Sequence, residues 1–130
     1  MASRTSSLFA NIKQDLRGAL LEFIGTFFFF SIGFGTVQAI TSAGSVDPPA
    51  PHILNVFVAA SSFGFGLAAS AWLFYRVTGG LFNPNVTLAL FLTGCMGPVR
   101  FVLFCIAQLA GSIAAAGMIL ALSPGPCSYK

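Results

Sequence analysis

Residues 86–92 form an apolar run that is far too short to cross a bilayer, yet it lies between segments long enough to do so. The run is entered through Thr78–Thr87, which reads TGGLFNPNVT. Asn83 followed by Pro84 has the chemistry of a helix start. The Asn side chain accepts a hydrogen bond from an orphan N–H, and proline is tolerated at the first helical position. A helix from Asn83 to near Gly94 would be about 15 Å long, roughly half a membrane. A half-helix entered through Gly79 and Gly80 is a re-entrant segment. Its backbone can lie at membrane depth only where protein or a water-filled cavity surrounds it. That points to a pore.

The composition agrees with a membrane setting. Only 7% of the 130 residues are charged and 56% are hydrophobic, with mean hydropathy +0.89. A soluble domain carries about 25% charged residues, so this chain could not cover a folded surface with polar groups. Fifteen Phe and fourteen Gly suit lipid-facing bulk and close helix approach. The six basic residues are too dispersed for a nucleic-acid footprint. The three cysteines show no metal-ligand spacing, and Cys105 reads as a packing residue. Beyond the few basic residues, the titratable groups are His52, Asp15, Glu22 and Asp47. No nucleophile is paired with a base, so nothing suggests an enzyme, a cofactor or a metal.

In order, the chain reads as an all-α membrane protein. A polar tail (1–17) carries Arg4, Lys13 and Arg17, and spans follow at about 18–40, 53–75 and 101–122. The first run, about 23 residues, is too long for a signal-peptide core. The re-entrant loop and half-helix occupy about 78–94, and 123–130 form a short tail. Trp72, Phe74, Tyr75 and Arg76 make an interface anchor. Basic residues precede the first span, and Arg76 and Arg100 bracket the re-entrant segment, whereas loop 41–52 has no Lys or Arg. The positive-inside rule then makes the N-terminus cytoplasmic and brings the half-helix in from that side. Plasma and vacuolar membranes both stay open.

Several polar or small residues within the spans carry expectations. Glu22 either sits near the interface and reaches water, or faces the bundle and accepts hydrogen bonds from non-helical backbone. The second reading is favoured because a re-entrant loop needs such partners. Gln108 is expected to tie helices together rather than contact a pore directly. Ala60, Gly64 and Ala68 line one face of the second span, and Ala107, Gly111 and Ala115 one face of the third. Such stripes let membrane helices pack backbone to backbone. The Asn83–Pro84 helix start concentrates about half a positive charge, which repels protons and cations while the Asn amide donates to a passing water. An anion site is the other reading, but no Lys or Arg stands mid-span to support it.

Three segments together carry a family resemblance: GTFFFF after Glu22, FGFGLAASAWLFYRVTGGLFNPNVTLAL, and AQLAGSIAAAG. They resemble the first half of an aquaporin (major intrinsic protein), most closely the fungal water-channel branch. The match covers about Asp15 to Ser123. The resemblance implies that Asn83 and Pro84 are the first two residues of an Asn-Pro-Ala box whose Asn orients water at the pore centre. It places Phe63 at the second-helix position of the aromatic/arginine filter, where Phe is typical of water-selective members. It implies that Glu22 and Gln108 brace the re-entrant loops. Two residues depart from the pattern. Asn85 stands in place of an Ala that packs against the matching box of the other half, so the larger amide either alters that contact or adds a polar group to the constriction. Leu81 stands in place of a common loop His.

Aquaporins resemble an inverted repeat of two such halves, and this chain carries one Asn-Pro box. The function expected is passive passage of water or small neutral solutes by a channel that this single chain does not complete, in a lipid bilayer. The resemblance suggests a tetramer, so homo- or hetero-oligomers with other aquaporin chains are the expected partners. The alternative is a non-conducting membrane protein that associates with full-length channels. A pore from two copies in opposite orientation is disfavoured by the basic-residue bias.

Overall fold

The computed structural model describes residues 11–43 and 52–123. Arg4, the Asp47 loop and residues 124–130 lie outside the described residues. Four helices occupy the described chain: α1 (Ile12–Ala43), α2 (His52–Thr78), α3 (Pro84–Leu92) and α4 (Pro98–Leu122). Three of them are long and apolar enough to cross a membrane.

Helices and apolar runs do not coincide at the first span. With 32 residues, α1 is about 48 Å long and overhangs a hydrocarbon core of about 30 Å. The overhang includes Lys13, Gln14 and Arg17, which lie exposed although the sequence places them in a tail. Helical hydrogen bonding does not stop where hydrophobicity does. The Asn11 carbonyl accepts from the N–H groups of Gln14 and Asp15 and so starts the first turn. The other ends follow local chemistry. Pro98 begins α4, with Gly97 as N-cap. At the end of α3, Gly94 takes φ +77°. Gly94 N–H donates to Phe91 O and Cys95 N–H to Leu90 O, the two bonds of a Schellman cap.

The long helices are arranged around α1, which packs against both α2 and α4. Contacts give their directions. Along α1, the positions of Gly18, Gly25 and Gly33 face Phe104, Phe74 with Phe82, and Phe63 respectively. Gly35 faces Ile119 and Gly111 faces Phe23 and Thr26. Thus α4 runs parallel to α1, and α2 antiparallel to it. Short α3 packs on α4. Its Phe91 stacks on Phe101 with centroids 4.8 Å apart, while Thr87 reaches Gln108. Its C-terminal end therefore returns toward the start of α4, and its N-terminal end points inward. α3 is a re-entrant half-helix of nine residues, about 14 Å long.

The two small-residue stripes have different fates. On α4, Gly111 and Ala115 are buried against α1. A Cβ at Gly111 would lie 2.7 Å from the Phe23 carbonyl oxygen. On α2, however, Ala60, Gly64 and Ala68 lie exposed, and a Cβ at Gly64 would meet nothing within 4 Å. α2 meets α1 through Gly66 and Ser70 instead, with Ser62 bonded to Thr36 at 2.7 Å. The α2 stripe therefore does not join helices among the described residues. Gly111→Ala must separate backbones and is expected to cost about 1–3 kcal/mol. Gly64→Ala should stay within about 0.5 kcal/mol. Denaturation in detergent, following helix content, checks both.

Candidate pore site

The chain between α2 and α3 is a tight reversal built from unusual backbone. Gly79 and Gly80 take φ of +95° and +62°, and Phe82 takes +46°. Gly80 needs its missing side chain twice over, since a Cβ would also sit 3.2 Å from Ala71 Cα. Thr78 at the end of α2 accepts the Gly80 N–H at 3.1 Å on its hydroxyl. For Phe82 the left-handed conformation costs roughly 1–2 kcal/mol, because the Cβ crowds its own carbonyl. Something must hold it there.

Glu22 supplies the hold. Its carboxylate is 0% exposed, and both oxygens face the loop. The Leu81 N–H donates to Oε1 at 3.2 Å and the Phe82 N–H to Oε2 at 2.8 Å. Gln108 Nε2, reaching across from α4, donates to the same Oε2 at 2.8 Å. Three donors therefore converge on one side chain from α1. Glu22 is fully buried, and in a setting that excludes water each unpaired N–H would cost several kcal/mol. Of the two sequence readings of Glu22, the bundle-facing one matches this geometry.

Gln108 extends the network. Its second amide hydrogen goes to Thr87 Oγ1 at 3.0 Å. The Thr87 hydroxyl has two acceptors in range, Asn83 O at 2.9 Å and Gln108 Oε1 at 3.2 Å. With the shorter bond made, it ties the first turn of α3 to α4 through the N-cap residue. Sequence reasoning missed Thr87 as a partner of Gln108. Its spacing of four residues from Asn83 was the available signal.

Asn83 is the N-cap of α3, with extended φ −147° and ψ 121°, followed by Pro84 in the first turn. Its Oδ1 accepts the Asn85 N–H at 2.9 Å. That bond fixes the amide: with Oδ1 engaged, the NH2 group is the end left to donate. Asn83 and Asn85 both lie exposed on the chain, while Phe82 beside them is 1% exposed. The helix N-terminus thus presents donors and partial positive charge on a side that no described helix covers.

The sequence-predicted residues separate into two levels. Glu22, Gln108, Gly79, Gly80, Asn83, Pro84 and Asn85 come together around the loop. Phe63 does not join them. Its half-buried ring lies over Gly33 of α1, edge-on to Phe29 and Phe34 at 5.9 and 6.4 Å. Gly33 is eight residues along α1 from Gly25, roughly 12 Å higher by helical rise. Of the cysteines, Cys95 is exposed beyond α3 and Cys105 is half-buried in α4.

A model of the family described as "Major intrinsic protein" matches residues 10–128. The chain belongs to the major intrinsic protein family. Among curated members, it is 52% identical to Aquaporin-1 of Laccaria bicolor over its whole length. It is 43% identical to Aquaporin-2 of Botryotinia fuckeliana over 88% of its length. It spans 42% of the first of these proteins and 31% of the second. Members of this family are integral membrane channels, and the three long apolar helices agree with that class.

The Glu22 network generates a direct test. Glu22→Gln replaces one acceptor oxygen by an NH2 group that would face N–H donors. Loss of about 1–3 kcal/mol is expected, together with faster hydrogen exchange at the Leu81 and Phe82 amides. Exchange measured on protein in nanodiscs checks this against amides in the middle of α4.

Proposed function

We propose that this chain supplies one wall and one half-helix of a membrane pore for water or another small neutral solute. The observation that carries the reading is the capped N-terminus of α3. It points inward, its Asn83 NH2 is free to donate, and no described helix covers that side. A water molecule arriving there would offer its oxygen to Asn83. The half-helix dipole holds the oxygen toward α3 and opposes entry of a cation or proton. Asn85 adds a second amide one residue beyond Pro84.

Phe63 serves as the second-helix element of a narrower filter at a different level. Its ring is braced by Phe29 and Phe34, so its size is presented by a stiff wall. Lys13, Arg17, Arg76 and Arg100 lie toward one end of the bundle, which we assign to the cytoplasm. The relatives' names, with the coverage above, support a pore whose remaining walls come from further aquaporin sequence. Oligomers of such chains follow from the same reading.

Osmotic swelling of proteoliposomes tests the proposal. Vesicles containing this chain alone should swell at the background rate. Adding a chain that carries the remaining spans of the Laccaria relative should raise the rate. Asn83→Ala should then lower water flux or admit protons, read by a pH-sensitive dye. A swelling rate that never exceeds background, or an Asn83→Ala chain that conducts unchanged, would contradict the assignment.

A further inference from the structure

The hydrogen bonds that Glu22 accepts from the loop come from the Leu81 and Phe82 amides, and the Phe82 side chain is itself only 1% exposed. Its ring occupies a slot in α1 that exists only because residue 25 is glycine. A Cβ at Gly25 would come 2.1 Å from Phe82 Cε1 and 2.6 Å from Cζ. The same Cβ would lie 3.0 Å from Phe74 Cδ2 on α2. Phe74 meets Phe82 edge-on, with centroids 6.1 Å apart and planes at 84°. The ring is therefore gripped between α1 and α2, and the next residue along the chain is Asn83.

We infer that Phe82 is a positioning residue: the fit of its ring into the Gly25 slot sets the depth and direction of the Asn83 cap. The reasoning is geometric. Carboxylate bonds to two successive N–H groups fix where the backbone passes, but a chain at φ +46° can still pivot about them. A buried ring joined to the backbone through a single methylene removes that freedom, because interiors are close-packed and transmit strain. Phe82 accepts an unfavourable backbone angle that glycine would take freely. Its retained side chain is thus the part with work to do. In a conducting assembly the inference rests on the pore reading above, since only there does the placement of Asn83 affect flux. The loop itself can be read without conduction.

The test uses the full chain in nanodiscs and measures hydrogen exchange at the Leu81 and Phe82 amides, with mid-α4 amides as the folding control. Phe82→Gly relieves the backbone angle and removes the ring. Wedge action predicts that exchange at the loop amides rises by about tenfold or more while α4 is unchanged. A loop that needs only the left-handed angle would instead exchange at the same rate or more slowly, and that result would overturn the inference. Gly25→Ala should loosen the same amides. Gly25→Ala combined with Phe82→Leu, which lacks the ring atoms a Cβ would strike, should return them to within about threefold of the unchanged chain. Failure of this rescue, with α4 still protected, would likewise overturn the wedge. Because these readouts need no flux, a tight Phe82 slot in a chain that stays at background swelling even when the remaining spans are supplied would count against the pore reading alone.

Discussion

One carboxylate holds the interior of this bundle together. Glu22 projects from α1 to a buried place where the backbone is not helical, and it accepts three hydrogen bonds there. Without it, two backbone N–H groups and one Gln108 amide hydrogen would lack acceptors in an apolar setting, at a cost of several kcal/mol. With it, a segment of five residues can reverse the chain and start a helix at depth. The remaining contacts refine this placement. Thr87 and Gln108 secure α3 to α4, and Phe82 locks the loop to α1 and α2.

Helix order is a consequence of the same constraint. α1 must be central because Glu22, Gly25 and Thr26 on one stretch of it serve the loop and α4 at once. Parallel α4 then brings Gln108 level with Glu22, and antiparallel α2 delivers Thr78 and the glycines to the same neighbourhood. The outward sides of α2 and α3 are left apolar or amide-bearing: Phe65, Trp72 and Val86 are exposed along with Asn83 and Asn85.

Much of this was legible in the sequence because the signals were local. Asn83–Pro84 specified a cap, the run after it was too short to span, and Gly94 marked its end; the structure has each. Glu22 was legible as a partner for irregular backbone because an ionisable group within a span has few other uses. Phe82 was not legible. Its left-handed angle and its slot depend on α1 lying against α2, which no spacing along the chain encodes. The α2 stripe failed for a related reason. Small residues occupy two faces of that helix, Ala60–Gly64–Ala68 and Gly66–Ser70, and helical periodicity alone does not say which meets α1. The N-terminal boundary differed because hydrophobicity locates a membrane and not the end of a helix.

The central claim is that α3 enters the bilayer with its N-terminus deep and its C-terminus near the surface. Spin labels placed singly at Val86 and at Cys95, with the other cysteines replaced by serine, report depth through collision with oxygen and with a water-soluble nickel complex. The inward-pointing half-helix predicts that the Val86 label is markedly deeper than the Cys95 label, by roughly 10 Å given the helical rise. Equal, shallow depths for the two would mean that α3 lies along the membrane surface, and would contradict the role given to Glu22.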